Sequence, residues 1–387
     1  MKIFTTGDNH LGKNLKKRKA LRELAIQNFK AIPDKIMGEG NIDYVVFAGD
    51  VFDKENTDIQ CNYSYAEVLS QLVSINTIKK IFIITGNHDQ YNDYFKGASV
   101  DLVKVLKSNK IVCCNKDQLI YHNEEDKVVF FLLPYSRDIF LTNEVGNKII
   151  LDKINEFISS TFDRPEFNDC YKIMVSHFAI KEWMPFSTEA IEKSELKNGN
   201  HFNLVIMGDL HNETFEDIDL SGTSILYTGS TMQTSISDLH NHNNVAKVIT
   251  IENNSLSNVK HIEFEKPKTI IVSSDDIESK RSQIDESTIV ITNDLGIHML
   301  LKDRVLYSMY KPIATKYLSD ESIEEEEVDL EKLDINQIAK DKIDGDETID
   351  EDTKNYLKTL VNIDVESMET SDLLEKVQSI TVEGVIF

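Results

Sequence analysis

The chain has 387 residues, 41% of them hydrophobic, and a net charge of −24. That length can hold one large core with a smaller domain beside it. No apolar run approaches the ~20 residues of a membrane-spanning helix, so no membrane partner is expected. Strong acidity argues against tight non-specific nucleic-acid binding by this chain alone. The acidity is unevenly spread, however: residues 320–387 hold 22 acidic and 6 basic side chains, a net −16 of the total.

Met1-Lys2 runs straight into an apparent strand, so no signal peptide is expected and a cytoplasmic location is read. Cys61, Cys113, Cys114 and Cys170 show no metal-binding or disulfide spacing and read as thiols in a reducing compartment. The first strand, residues 2–6, ends at Asp8 and His10. Residues 13–19 are the most basic stretch. There Lys13, Lys16, Lys17 and Arg18 are either phosphate contacts or the solvated start of the next helix. Leu21, Ala25, Phe29, Ile32 and Ile36 lie on one helical face, which Pro33 either kinks or restarts. Residues 43–48 form a second strand ending at Gly49-Asp50. Cys61, Tyr65, Val68, Leu69 and Leu72 mark another helix, and a third strand reaches Gly86-Asn87-His88-Asp89. Strand, helix, strand, helix, strand is an α/β pattern with a largely parallel sheet, whose ligands collect at the strands' carboxyl ends.

A short helix at 99–106, strands at 110–114 and 127–133 and a helix at 147–161 follow. A strand at 171–175 then delivers Ser176-His177. Residues 181–201 read as a long polar loop, either a lid or a substrate edge. A strand at 203–207 delivers Asp209 and His211, and one at 224–227 delivers Thr228-Gly-Ser-Thr231. Strands at 245–251 and 259–264 are expected to close a second sheet against the first. Pro267 reads as a boundary. The expected domains are therefore 1–266, a small α/β unit at 267–318, and an acidic tail at 319–387. Strands at 269–272 and 288–292 and a helix at 297–308 are expected in the small unit. The tail carries short amphipathic patterns around Ile335, Tyr356 and Leu373. It is either a solvated disordered segment or a helical segment that docks on a partner.

Five clusters of polar residues thus follow apolar runs, and their common chemistry is metal ligation. Two divalent cations about 4 Å apart can clamp a phosphodiester and activate a water. Asp50 suits the bridging position. Asp8, His10 and His211 would complete one ion's shell, and Asn87, His177 and Asp209 the other's. Mixed Asp, Asn and His ligation favours manganese, iron or zinc over calcium or magnesium. His88, beside Asn87, is better placed to donate to the phosphate or leaving oxygen. Asp89 is expected to orient that imidazole. Each motif alone is weak: Asp-x-His is common, and Gly-Asp after a strand is usually a turn. The ordered set is far more specific.

These motifs resemble those of the calcineurin-like metallophosphoesterases, which run Asp-x-His, Gly-Asp, Gly-Asn-His-Asp/Glu, His and Gly-His-x-His. Within that superfamily, Asp8-Asn-His-Leu-Gly12, Gly49-Asp-Val-Phe-Asp53, Leu133-Pro-Tyr135 and Tyr227-Thr-Gly-Ser230 are similar to stretches of the nuclease subunits of SbcCD-type complexes. The resemblance covers about residues 1–265. It implies a two-sheet α/β sandwich flanked by helices, two Mn2+ ions, and exonuclease activity on duplex DNA with endonuclease activity on single strands. It also implies a DNA-facing cap after Pro267, a homodimer, and a tail docking on an SbcC-like coiled-coil ATPase. One departure stands out: the expected Gly-His-x-His reads Gly208-Asp209-Leu210-His211. The alternatives are a phosphodiesterase or phosphatase for small nucleotides, and a catalytically weak scaffold for the ATPase.

Overall fold

Short runs of Val, Ile and Phe bounded by Gly, Asp and Asn form the strands, and the central ones are buried on both faces. In the computed structural model they are β1 (Lys2–Thr6), β2 (Tyr44–Ala48), β3 (Lys80–Ile84), β4 (Ile111–Cys114), β5 (Leu119–Asn123), β6 (Val128–Leu133) and β7 (Tyr171–His177). There follow β8 (Ala179–Ile180), β9 (Ala190–Ile191), β10 (Leu204–Gly208), β11 (Glu216–Asp217), β12 (Ser224–Tyr227), β13 (Val245–Glu252) and β14 (Ser255–Glu263). Last come β15 (Thr269–Val272), β16 (Ile289–Thr292) and β17 (Tyr307–Tyr310). The structure describes residues 1–13, 19–54, 57–89, 98–115, 119–135, 164–185, 190–197, 202–219, 222–301, 305 and 307–310. The chain divides into a unit Met1–Ile313 and a unit Ala314–Phe387. The second unit, the expected helix at 147–161 and Lys16, Lys17 and Arg18 lie outside the described residues.

One six-stranded sheet has the order β14-β13-β1-β2-β3-β4 and the other β11-β12-β10-β7-β6-β5. Strands β1 to β4 are mutually parallel, as are β6, β7, β10 and β12, so their carboxyl ends share an edge within each sheet. Period-two alternation sorts the side chains between layers. Tyr44, Val46 and Ala48 of β2 point into a core shared with Phe130, Ile173, Val175 and Ile206 of the other sheet. Val45 and Phe47 point the opposite way, onto helices α1 (Lys19–Lys30), α2 (Ile32–Gly38) and α3 (Ile59–Ser74). Val205 and Met207 face a third cluster with Phe178, Ile180 and Leu210. The chain is thus a mixed α/β sandwich of two sheets flanked by helices.

Several expectations need correction. β13 does not join the second sheet; it returns to the first, antiparallel to β1 from Lys2↔Thr250 to Thr5↔Lys247. This pairs the β1 edge left open by β2, and β14 follows as a hairpin. Strand β5, antiparallel to β6, goes unpredicted because its sequence Leu-Ile-Tyr-His-Asn alternates poorly. The polar loop at 181–201 contains β9, which pairs with β8 just before the loop, and a helix, Lys193–Lys197, whose first amide donates to Glu182. Pro33 begins α2 rather than kinking α1, since it needs no amide partner there. After Pro267, β15, β16 and β17 form a three-stranded parallel sheet, and the helix there is Leu295–Leu301 rather than 297–308. Ile289 of that sheet packs with Leu21 and Ala25 of α1 and with Met232.

An ion pair joins the two large sheets. Lys247 of β13 is fully buried, and its ammonium meets the carboxylate of Glu216 on β11, which also lies 2.7 Å from His261 Nε2. Burial works to raise the Glu216 pKa, but His261 and Lys247 outweigh it and hold the carboxyl down at about 2. Glu216→Gln leaves a buried ammonium without its counter-charge, and the expected cost is about 3 kcal/mol in urea unfolding at pH 7. The stabilisation from Glu216 is complete above its ordinary pKa of 4.5 and fades as the pH falls toward 2. The stability gap between wild type and variant should therefore shrink over that interval. A gap independent of pH would contradict the assignment.

Candidate metal centre

Five strands, parallel within each of the two sheets, deliver the polar clusters from their carboxyl ends. Asp8 and His10 follow β1, Asp50 follows β2, and Asn87 and His88 follow β3. His177 closes β7, and Asp209 and His211 follow β10. The first two loops zip together beyond the strands: Asp8 N donates to Gly49 O (3.0 Å), His10 N to Asp50 O (3.0 Å) and Leu11 N to Val51 O (2.9 Å). The Asp209 amide donates to both carboxylate oxygens of Asp8 at 3.0 Å, tying the second sheet to the first.

The backbone is strained here. Asp8, His10, Asp50 and Asp209 have φ of 47°, 45°, 49° and 93°. Left-handed non-glycine residues cost on the order of 1 kcal/mol each, and the surrounding hydrogen bonds hold them in place. Two glycines make the approach possible. A Cβ on Gly86 would lie 2.1 Å from Asp50 Oδ1, and one on Gly49, at φ +88°, would lie 2.3 Å from His177 Nδ1.

Four imidazoles converge, each with its Nε2 turned inward. His177 Nδ1 lies 2.8 Å from the Ala48 carbonyl, and His88 Nδ1 lies 2.9 Å from the Asp53 carbonyl. A carbonyl only accepts, so both rings carry hydrogen on Nδ1 and in the neutral form present an Nε2 lone pair. His211 Nδ1 meets Thr234 Oγ1 at 3.0 Å. Around Asp50 Oδ2 the inward nitrogens lie at 3.5 Å (His177), 3.7 Å (His10) and 4.0 Å (His88). His211 Nε2 is 3.6 Å from Asp8 Oδ1 and 3.1 Å from His10 Nε2.

This donor set fits divalent cations. Three groups have ligand atoms within 4.8 Å of one another: Asp8, His10 and His211; His10, Asp50 and His88; Asp8, Asp50 and His177. His177 Nε2 is buried without a hydrogen-bond partner, which suits a metal-ligating nitrogen. The facing Nε2 atoms of His10 and His211 repel unless a proton or a cation lies between them. Anchoring of the outer ring nitrogen is the usual support of a metal-binding histidine.

The electrostatics agree. Burial acts to raise Asp50, but His177 and His10 outweigh it and keep the carboxyl well below its ordinary value. His177 is raised far above its own, because Asp50 overcomes the opposing effect of burial. Desolvation pushes Asp209 up to about 6, with the charges of Asp8 and Asp50 acting in the same direction. The centre therefore concentrates negative charge that a cation would neutralise.

The structure brings Asp8, His10, Asp50, His88, His177, Asp209 and His211 together. Asp209 sits at the rim, its Oδ1 4.0 Å from His177 Nε2. Asn87 is exposed at the turn after β3, and among the described residues its side chain hydrogen-bonds to no other member. His88, expected to stand apart from the ligands, groups with His10 and Asp50. Asp89 requires a correction. It does not touch the His88 ring, whose partner is the Asp53 carbonyl. Its fully buried carboxylate instead accepts the amides of Phe52 and Gly86, both at 2.9 Å, stapling the third loop to the second. Burial and the Asp50 charge raise Asp89 to about 7. Of the basic candidates, Lys13 is described, and its ammonium lies 2.8 Å from Asp53 Oδ1. Ser230 and Thr234 have no role in the sequence reading. Ser230 Oγ donates to the Asp8 carbonyl and so holds the first loop from the second sheet. The Thr228-Gly-Ser-Thr231 stretch after a strand is the available signal.

The fold and the donor set fit a phosphoesterase that takes divalent metal ions. Residues 1–213, more than half the chain, match the calcineurin-like phosphoesterase family, and the chain belongs to it. It is 24% identical over 242 residues to the DNA double-strand break repair protein Mre11 of Methanococcus maripaludis, covering 62% of this chain and 60% of that protein. It is 26% identical over 192 residues to the SbcD component of the nuclease SbcCD of Bacillus subtilis, covering 50% and 45%. A Methanosarcina mazei Mre11 is 27% identical over 249 residues, covering 62% and 34%. The chain thus spans a third to three fifths of the length of these relatives.

Proposed function

We propose that this phosphoesterase is a manganese-dependent DNA nuclease that cuts duplex ends exonucleolytically and single strands endonucleolytically. The observation that carries the reading is the convergence of four inward Nε2 atoms on Asp8 and Asp50. The similarity to Mre11 and to the SbcD component of SbcCD supports DNA as the substrate. On this reading Asp8, His10 and His211 would hold one cation and His177, Asp209 and Asn87 the other, and Asp50 would be shared by both. Two bound divalent cations supply Lewis-acid activation of water and neutralise charge at the phosphate. His88, at 40% exposure the most accessible of the four histidines, donates to the leaving oxygen. With Nδ1 committed to the Asp53 carbonyl, it does so from Nε2 as the imidazolium.

In the same reading the chain is one subunit of an SbcCD-like complex in DNA repair or recombination. It dimerises, the unit after Pro267 caps the DNA, and the acidic tail docks on the coiled-coil ATPase. The tail's net −16 keeps it away from DNA and suits a protein partner.

The test is cleavage of end-labelled duplex and circular single-stranded DNA by the full chain, with and without the ATPase. Manganese should stimulate cleavage and EDTA abolish it. Hydrolysis of bis-p-nitrophenyl phosphate without DNA cleavage would point to a small-substrate phosphodiesterase. Failure on both, even with the ATPase, would favour the scaffold.

A further inference from the structure

We propose that Asp53 is a positioning residue that sets the tautomer and aim of His10 and His88 together. The inference rests on the two-cation reading of the centre. Asp53 lies three residues beyond Asp50, in the loop that zips onto the first motif, and its amide donates to the Leu11 carbonyl at 3.0 Å. A bridge between Leu11 and Phe52 extends this pairing. Asp53 is therefore fixed by backbone contacts, and its two oxygen types face two different rings. Its carbonyl takes His88 Nδ1 at 2.9 Å. Its carboxylate Oδ1 lies 3.5 Å from His10 Nδ1.

The second contact is longer than a hydrogen bond, yet it decides the tautomer. His10 Nδ1 is buried and has no hydrogen-bond partner. A lone pair there would face a carboxylate's lone pairs across a desolvated gap, whereas an N–H would face them favourably. The carboxylate thus favours Nδ1–H and leaves the lone pair on Nε2, whose nearest neighbour is His211 Nε2 at 3.1 Å, a donor when protonated, with Asp50 Oδ2 farther off at 3.7 Å. The two rings meet edge-on, with centroids 4.9 Å apart and planes at 83°, so a turn of either would displace the other. Lys13 completes the arrangement. Its ammonium, 2.8 Å from Oδ1, gives the buried carboxylate a counter-charge. Lys13 is in this account the counter-ion of Asp53 rather than a free phosphate contact.

The experiment uses the full chain and two readouts. Imidazole 15N spectra of metal-free protein give the tautomers, with His10 and His88 assigned through His10→Gln and His88→Gln. Calorimetric titration gives manganese affinity. In the wild type both rings should carry hydrogen on Nδ1. In Asp53→Ala, His10 should lose that preference while His88 keeps it, because the backbone carbonyl remains, and manganese affinity should fall about 10- to 100-fold. Asp53→Asn, which retains an acceptor oxygen, should keep the His10 tautomer and lose about two- to tenfold. If Asp53→Ala does not fold, the Asn variant decides: a weakened affinity with Nδ1–H retained supports the proposal, and unchanged affinity overturns it. An unaltered His10 tautomer in Asp53→Ala, or a neutral ring in the wild type with its hydrogen on Nε2 in place of Nδ1, also overturns it. A wild-type protein that binds no manganese would sink the two-cation reading, and the metal-free spectra would still decide the role of Asp53.

Discussion

Asp50→Asn should abolish metal binding and hydrolysis together while leaving the fold intact. Three imidazole nitrogens surround Asp50 Oδ2 at 3.5, 3.7 and 4.0 Å, and the carboxylate holds the site's central negative charge. Its other oxygen accepts the His88 amide at 2.9 Å. Asparagine keeps that acceptor and nearly the same volume, so the loop after β3 retains its anchor. What disappears is the charge that two cations would share. A neutral amide oxygen is a much weaker ligand for a hard divalent ion. Manganese affinity should fall at least about 100-fold by titration, and phosphodiester cleavage should fall on the order of 10³-fold or more. The melting temperature of the metal-free protein should fall modestly at pH 7, because the Asp50 carboxylate is the counter-charge of the buried His177 imidazole. Stoichiometric manganese binding by Asp50→Asn at wild-type affinity would show that Asp50 does not bridge, and the two-cation assignment would fall.

Much of this centre is legible in the sequence because each strand announces its own end. One apolar run breaking into Gly-Asp is usually a turn, but five runs each breaking into metal-ligand residues have little structural reason to do so, and parallel strands put such breaks on a common edge. The fold class follows from the same alternation. What is not legible lies between segments distant in sequence. That β13 pairs with β1 across more than 240 residues depends on which sheet edge is free, which no local pattern encodes. The role of Asp89 is hidden for the same reason. Adjacent to His88 in sequence, it points into the core and holds the amides of Phe52 and Gly86, while His88 turns to a backbone carbonyl. A backbone carbonyl leaves no trace in residue identity, so the partners of His88 and His177 cannot be read in advance. Asp53 stands in a recognisable motif, yet nothing in its spacing indicates that its side chain turns toward His10.

His88→Gln should lower turnover about 10²- to 10⁴-fold while leaving KM and manganese stoichiometry unchanged. The argument begins with access. His88 is 40% exposed, whereas His10 and His177 are buried at 3% and 0%. Its Nδ1 is held by the Asp53 carbonyl, so Nε2 is the atom free to act, and glutamine cannot supply a proton there. Its proximity to His10 and Asp50 raises a competing role as a metal ligand, and the variant separates the two. Loss of one manganese per chain in titration would make His88 a ligand. Retained stoichiometry with slow turnover makes it a donor. The leaving group then identifies the step. A DNA 3′- or 5′-alkoxide is a poor leaving group and needs a proton, whereas p-nitrophenolate departs without one. If His88 protonates the leaving oxygen, the defect on DNA should shrink to within about tenfold on bis-p-nitrophenyl phosphate. An equal defect on both substrates, with both cations bound, would instead place His88 on the non-bridging phosphate oxygens, stabilising charge that develops whatever group departs.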